Sequence, residues 1–242
     1  MEKAVFFWSG GKDSALALFH LRQQGDYEVV SLLTTCNEHF QRVSMHGVRL
    51  ELLERQAVAL GLPLEKMFVS QRSSNEEYTQ KLLAHLLSFR ERGVTAVVFG
   101  DIFLEDLRQW REQQMRQAGL KAVFPLWKKD TRGLIEQFVA AGFGSVLCCV
   151  NDAYLGPDFL GRNIDEGFLA SLPPGVDPCG ENGEFHSFAF AGPIFRQPLK
   201  VTVGERIYRP VEQTHPGSVP ADGAGNGTPL TKGFWFCDLL SA

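Results

Sequence analysis

Short runs of consecutive apolar residues alternate with amphipathic stretches along the first 150 residues of the chain. Ala4–Trp8, Glu28–Thr35, Leu64–Val69, Thr95–Phe99, Lys121–Phe124 and Ser145–Val150 have strand length and end at turn-forming residues. Between them, helical periodicity predicts helices from Lys12 to about Gln24, over Arg49–Leu60, from Ser74 to Arg92, over Glu105–Ala118 and over Thr131–Ala141. Ser74 followed by Glu77 has the spacing of a capping box, and Gly61, Gly93, Gly119 and Gly142 stand where helices should stop. The strand runs are continuously apolar rather than alternating. That pattern predicts strands buried on both faces, in a parallel sheet covered by helices. Right-handed crossovers then make it a doubly wound α/β layer.

After about residue 151 the rhythm changes. Gly, Pro, Asp and Asn become frequent, and short strand-like runs occur at Ser187–Ala191, Leu199–Val203 and Phe234–Leu239. Thr214–Pro229 is rich in Gly and Pro and reads as a surface loop. The expected division is residues 1–123 and a smaller α+β part over residues 124–242.

Composition narrows the function classes. Lys and Arg number 24 against 28 Asp and Glu, a formal net charge of -4, which disfavours a general nucleic-acid coat or a polybasic membrane binder. No apolar run approaches the roughly 20 residues that span a bilayer. The opening residues do not resemble a secretory signal. The five cysteines are odd in number and contain no C-x-x-C, so neither a disulfide framework nor a zinc site is expected. A reducing, cytoplasmic setting fits this usage best.

The strongest chemical signal is Ser9-Gly10-Gly11-Lys12-Asp13-Ser14, placed directly after the first strand and opening the first helix. Two glycines permit a tight turn and close approach of a ligand to the backbone. The helix start directs unpaired N–H groups and partial positive charge at that ligand, which makes an anion site. Ser9 and Ser14 add hydroxyls, and Lys12 adds a cation. Asp13 would repel bare phosphate, so it suggests a bridging Mg2+. The spacing is neither a Walker A motif nor a dinucleotide fingerprint. A plain strand-to-helix turn capped by Ser9 leaves Lys12, Asp13 and Ser14 unexplained together.

S-G-G-x-D-S in this position resembles the pyrophosphate-binding loop of the N-type ATP pyrophosphatases. The resemblance implies an adenine nucleotide alpha hydrolase-like fold of the HUP type, binding ATP and splitting it to AMP and pyrophosphate as a substrate oxygen is adenylated. Further blocks narrow the resemblance to the diphthine–ammonia ligase family. Gly100-Asp101-Ile102 with Arg108, Arg111 and Glu112 is similar to its G-D-I…R…E block, and Pro125-Leu126-Trp127 to its P-L-W turn. Cys179-Gly180-Glu181-Asn182-Gly183-Glu184-Phe185-His186-Ser187 resembles its C-G-E-G-G-E-Y-E-T segment, and Gly233–Leu240 its closing strand. The departures at Asn182, Phe185, His186 and Ser187, and in Arg42–His46, cluster where the acceptor is expected to lie.

The resemblance implies an enzyme that adenylates a carboxylate and transfers ammonia to it, with ATP and Mg2+ as cofactors. ATP would be held by Ser9, Gly10, Gly11, Lys12, Asp13 and Ser14, with Asp13 near the metal and adenine near Leu33 and Thr34. Asp101, Glu181 and Glu184 are the expected catalytic carboxylates. His46, Arg108, Arg111, Gly183 and His186 are expected on the acceptor side. The family's acceptor is diphthine on elongation factor 2; an unknown small carboxylate is the other expectation here, with no nucleic acid and no membrane partner. Two alternatives remain at this level: a tRNA sulfur transferase, which needs a reactive cysteine, and a non-catalytic ATP- or AMP-binding protein.

Overall fold

The computed structural model describes residues 1–43, 47–70, 73–211 and 231–242. The first sheet holds β1 (Glu2–Phe7), β2 (Tyr27–Asn37), β3 (Arg42–Val43), β4 (Leu64–Val69), β5 (Ala96–Val98) and β6 (Lys121–Val123). Five of them run parallel in the spatial order β4–β2–β1–β5–β6, while β3 folds back antiparallel on the end of β2. From β1 the chain winds outward through β2 and β4, then crosses back to β5 and β6. The winding therefore reverses between β1 and β5, and ligands in open α/β sheets bind at such a reversal, beyond the carboxyl ends of the strands.

Alternate residues of β1 feed two different cores. Ala4 and Phe6, with Trp8 just beyond the strand, pack with α1 (Lys12–Gln24) and α2 (Leu50–Leu60). Val5 and Phe7 pack with α3 (Asn75–Glu91) and α4 (Glu105–Ala118) on the other face. The predicted cap is present, with Ser74 Oγ accepting the Glu77 N–H at 3.1 Å.

The sixth apolar run does not join the parallel sheet. It forms β7 (Gly144–Asn151), central in an antiparallel sheet of order β8–β7–β10–β9, with β8 at Phe185–Ala191, β9 at Val201–Pro210 and β10 at Gly233–Ser241. A continuous apolar run reports burial on both faces, and β7 has that burial inside a different sheet. β9 runs further than its sequence run suggested and is an exposed edge strand. The expected Thr214–Pro229 loop lies outside the described residues. Two further helices, α5 (Thr131–Ala140) and α6 (Glu166–Ser171), complete this half.

The helices α1 and α2 lie between the sheets, with β8 against α1 and β10 against α2. One apolar core continues from Phe6 and Trp8 through α1 to Phe138, Val146 and Phe188. All five cysteines are free and buried. Among the described residues no helix is long and apolar enough to cross a membrane.

A charged clamp also joins the halves. Asp238 on β10 accepts from Arg42 Nη1 at 2.9 Å and from Arg49 Nη2 at 2.5 Å and Nε at 3.0 Å. Arg49, and after it Arg42, hold its carboxyl down at about 2, against the opposing cost of burial. A carboxylate with a depressed native pKa stabilises the fold above its unfolded value of about 3.9 and loses that contribution as pH falls through the native value. Asp238→Asn should therefore cost roughly 1–2 kcal/mol near neutral pH, a range reduced for the partial exposure of Arg49. Thermal melts should show the gap to wild type closing between about pH 4 and pH 2.

Candidate active site

The Ser9–Ser14 loop leaves β1 at the winding reversal. Gly10 takes a left-handed φ of 81°, and a Cβ there would lie 2.8 Å from Gln56 Oε1. Ser9 Oγ accepts the Gly11 N–H at 3.2 Å and sits 2.8 Å from Ser14 Oγ. The helix cap is Gly11, with no side-chain hydrogen bond, so Ser9 does not cap it and its hydroxyl stays within the loop. The end of β5 presses on the same turn. A Cβ on Gly100 would stand 3.0 Å from Ser14 N and 3.2 Å from the Asp13 carbonyl carbon. Only a residue without a side chain lets Asp101 follow so close to Asp13.

Lys12 does not extend into open space toward a phosphate. It is 4% exposed, and its Nζ lies 2.8 Å from both Asp13 carboxylate oxygens, donates to the Cys179 carbonyl, and sits 5.3 Å from the centre of the Phe185 ring. Its backbone N–H donates to Ser187 Oγ at 3.3 Å. Burial opposes the charge, but Asp13, Cys179 and Glu181 outweigh it and raise the ammonium's pKa. A residue expected on the nucleotide thus ties the loop to the 179–187 segment.

That segment is built around two carboxylates. Asp177 accepts the Cys179 N–H at 2.8 Å, the Glu181 N–H at 3.3 Å and the Thr131 hydroxyl at 2.7 Å. Glu184 is fully buried and accepts the Asp177 N–H at 2.9 Å, the Asn182 N–H at 2.8 Å and Asn182 Nδ2 at 2.9 Å. Expected beside the reacting atoms, Glu184 instead lies under the loop as an internal strut. Glu181 differs. Burial first, then repulsion from Asp13, Asp177 and Asp101 against the pull of Lys12, pushes its carboxyl up to about 8. Gly183 turns with φ 80° above open space.

Asp101 faces this group from the β5 side. Burial raises its carboxyl and Asp13 adds to the rise, while Arg111 opposes both. Arg111 Nε lies 2.7 Å from Asp101 Oδ2 but is poorly aligned for a hydrogen bond, and Nη2 donates to Oδ1 at 3.3 Å. The Arg111 guanidinium also lies 4.4 Å over the Phe99 ring. Arg108 donates to Glu112 at 2.7 Å and stacks 4.5 Å over Trp127. Both arginines, expected on the acceptor, are engaged within the chain, and Arg111 orients Asp101.

Leu33 and Thr34 are fully buried in the second half of β2, and Thr34 Oγ1 has no hydrogen-bond partner. An unpaired buried hydroxyl costs on the order of 1–3 kcal/mol. His186 is half-buried on β8, opposite Cys149. His46 lies outside the described residues. Sequence reasoning missed Asp177 and Gln56. Gln56 had a signal: it lies four residues after Leu52 and three after Leu53, on the buried stripe of α2, where a polar residue needs partners.

Among the described residues no group of three or more His, Cys, Asp or Glu is arranged to hold a metal alone. Asp13 with Asp101 nearby fits Mg2+, which binds through one or two carboxylates completed by phosphate oxygens and water.

A doubly wound sheet with a glycine-serine anion loop at its reversal, closed by a carboxylate-rich loop from a second sheet, defines a nucleotide-dependent enzyme class. The family models agree. Residues 1–122 match the diphthamide synthase N-terminal domain and residues 130–214 the diphthamide synthase C-terminal domain, so the chain belongs to the diphthamide synthase family. Proteins named diphthine–ammonia ligase are similar to it. That of Danio rerio is 26% identical over 227 residues, covering 85% of this chain and 88% of the relative. That of Homo sapiens is 26% identical over 231 residues, covering 82% of each. That of Schizosaccharomyces pombe is 26% identical over 225 residues, but the match spans 37% of its length, because it is the longer protein.

Two outcomes follow from this geometry. Glu184→Ala leaves three N–H donors without an acceptor and should lower stability by roughly 3 kcal/mol or more, read as a shift in chemical denaturation midpoint. Gly100→Val should leave the circular-dichroism spectrum intact but weaken ATP binding at least tenfold by titration calorimetry, since its Cβ meets the loop backbone.

Proposed function

We propose that the chain is an ATP-dependent carboxylate–ammonia ligase of the diphthine–ammonia ligase type, releasing AMP and pyrophosphate. The observation that carries this reading is the Lys12 bridge, which holds an anion loop and the Glu181 loop against one another at the winding reversal. In this reading residues 1–123 bind ATP and residues 124–242 supply the acceptor side.

The N–H groups of the Ser9–Ser14 turn and the Ser9 and Ser14 hydroxyls receive the outer phosphates, and Thr34 meets the nucleoside side. An acceptor carboxylate oxygen attacks the α-phosphorus, and the bond to pyrophosphate breaks. Negative charge growing on the leaving group is met by the helix terminus. Asp13, with Asp101 beside it, would hold Mg2+, which supplies further neutralisation of phosphate charge. Glu181, with a pKa near that of a neutral-pH base, takes a proton from ammonium. Ammonia then attacks the acyl carbon, the bond to AMP breaks, and the adduct nitrogen gives its surplus proton to solvent, so that an amide remains. Lys12, Glu184 and Arg111 position these groups. His186 and Gly183 border the acceptor. The acceptor itself is a carboxylate, on a protein resembling elongation factor 2 or on a small molecule.

Sulfur transfer fits less well. Burial pushes the Cys36 and Cys237 thiols up to about 11 and Cys149 up to about 12, and raises Cys148 and Cys179 as well. Thiols held protonated are poor sulfur carriers.

Sustained, multiple-turnover pyrophosphate release should require both ammonium and a carboxylate acceptor, and should match amide formed one for one. Release of inorganic phosphate alone, or ATP binding with no turnover, would sink the reading. Asp13→Ala should lower pyrophosphate release by about two orders of magnitude or more. At constant saturating ammonium, wild-type kcat should rise with pH through about 8, the Glu181 value, and then level, whereas Glu181→Gln should keep rising with the free-ammonia fraction.

A further inference from the structure

We propose that Gln56 is a positioning residue that sets the nucleotide-binding conformation of the Ser9–Ser14 loop; the inference rests on the ATP-binding reading above. Gln56 comes from α2, is completely buried, and spends its whole amide on three different elements. Its Oε1 accepts the Trp8 indole N–H at 2.8 Å, on the residue preceding the loop. Its Nε2 donates to the Gly10 carbonyl at 2.9 Å and to the Ala189 carbonyl of β8 at 2.6 Å. The Ala189 N–H donates to the same Gly10 carbonyl at 2.9 Å.

The consequence follows from peptide planarity. In a trans peptide the C=O and the next N–H point in opposite directions. Holding the Gly10 carbonyl inward between Gln56 and Ala189 therefore turns the Gly11 N–H outward, where Ser9 Oγ receives it. That N–H is the type of donor a phosphate oxygen would take. Gly10 has φ 81°, and a Cβ there would collide with Gln56 Oε1, so loop and amide are fitted to each other. Gln56 touches no substrate in this account. It acts through the orientation of one peptide, and it links that peptide to the sheet that carries the Glu181 loop.

Three variants test this. Gln56→Met keeps volume but removes every polar contact. Gln56→Glu keeps the acceptor for Trp8 but turns two donors into an oxygen facing two carbonyls. Gln56→Asn keeps the amide on a shorter arm. All are assayed for steady-state pyrophosphate release, alongside thermal melts and the Trp8 indole 15N–1H resonance, assigned by its disappearance in Trp8→Phe. The expected result is a KM for ATP raised at least tenfold in Gln56→Met and Gln56→Glu, with the KM for ammonium within twofold of wild type. The Gln56→Glu excess over wild type should shrink from pH 8 to pH 6, as a protonated carboxyl regains one donor for Gly10. The Trp8 resonance should shift on adding ATP in wild type and not in Gln56→Met. A merely structural role would lower the melting temperature while leaving KM and its pH dependence unchanged in the folded fraction. Wild-type KM for ATP in folded Gln56→Met, or a Gln56→Glu defect that ignores pH, overturns the proposal. Should Gln56→Met fail to fold, Gln56→Asn and the pH dependence of Gln56→Glu decide it. A wild type that neither shifts the Trp8 resonance with ATP nor releases pyrophosphate overturns the parent reading and this inference together, whereas an active wild type matched by its variants overturns this inference alone.

Discussion

A buried ammonium demands partners, and Lys12 finds them on both sides of the molecule. Taking a charge out of water costs several kcal/mol unless it is paired and hydrogen-bonded. Asp13 supplies the counter-charge from the same helix turn, and the Cys179 carbonyl supplies an acceptor from the second half of the chain. The demand for satisfaction therefore fixes where the 179–187 segment can lie. Glu181 is brought near Asp13 and Asp101 as a result, and its raised carboxyl pKa is the electrostatic outcome of that crowding.

The same logic of satisfied polar groups organises the segment itself. Asp177 and Glu184 absorb the N–H groups of a loop that has no sheet or helix to bond with. Backbone donors left unmatched in a buried loop would be costly. Of the carboxylates in this stretch, the two that serve the loop are held by several donors. Glu181, buried beside Asp13, Asp177 and Asp101 with Lys12 as the opposing charge, is left with the properties of a base. Two glycines complete the arrangement: Gly10 reaches a left-handed turn over Gln56, and Gly100 lets β5 end against the first turn of α1.

Much of this was legible along the chain. The five parallel strands, their helices, the Ser74 cap and the glycine-serine turn each follow from local pattern, because strand burial, helix capping and a glycine turn are encoded by neighbours in sequence. Roles were less legible than positions. Arg108 and Arg111 carry charges suited to an acceptor, yet aromatic faces and carboxylates within the chain take them up. Glu184 and Glu181 stand three residues apart with the same chemistry, and only their partners separate a strut from a titrating group.

What the sequence by itself determined was therefore the α/β winding, the place of the glycine-serine turn after β1 and the set of carboxylates near it. These depend on periodicity and on short motifs. What only the tertiary structure decided was the fate of β7, whose apolar run fits either sheet, and which charged side chains find partners within the chain. Lys12 meets Cys179 across 167 positions of chain, and Gln56 meets Ala189 across 133. Hydrogen bonds depend on distance and direction in space, and at such separations neither is written in local order.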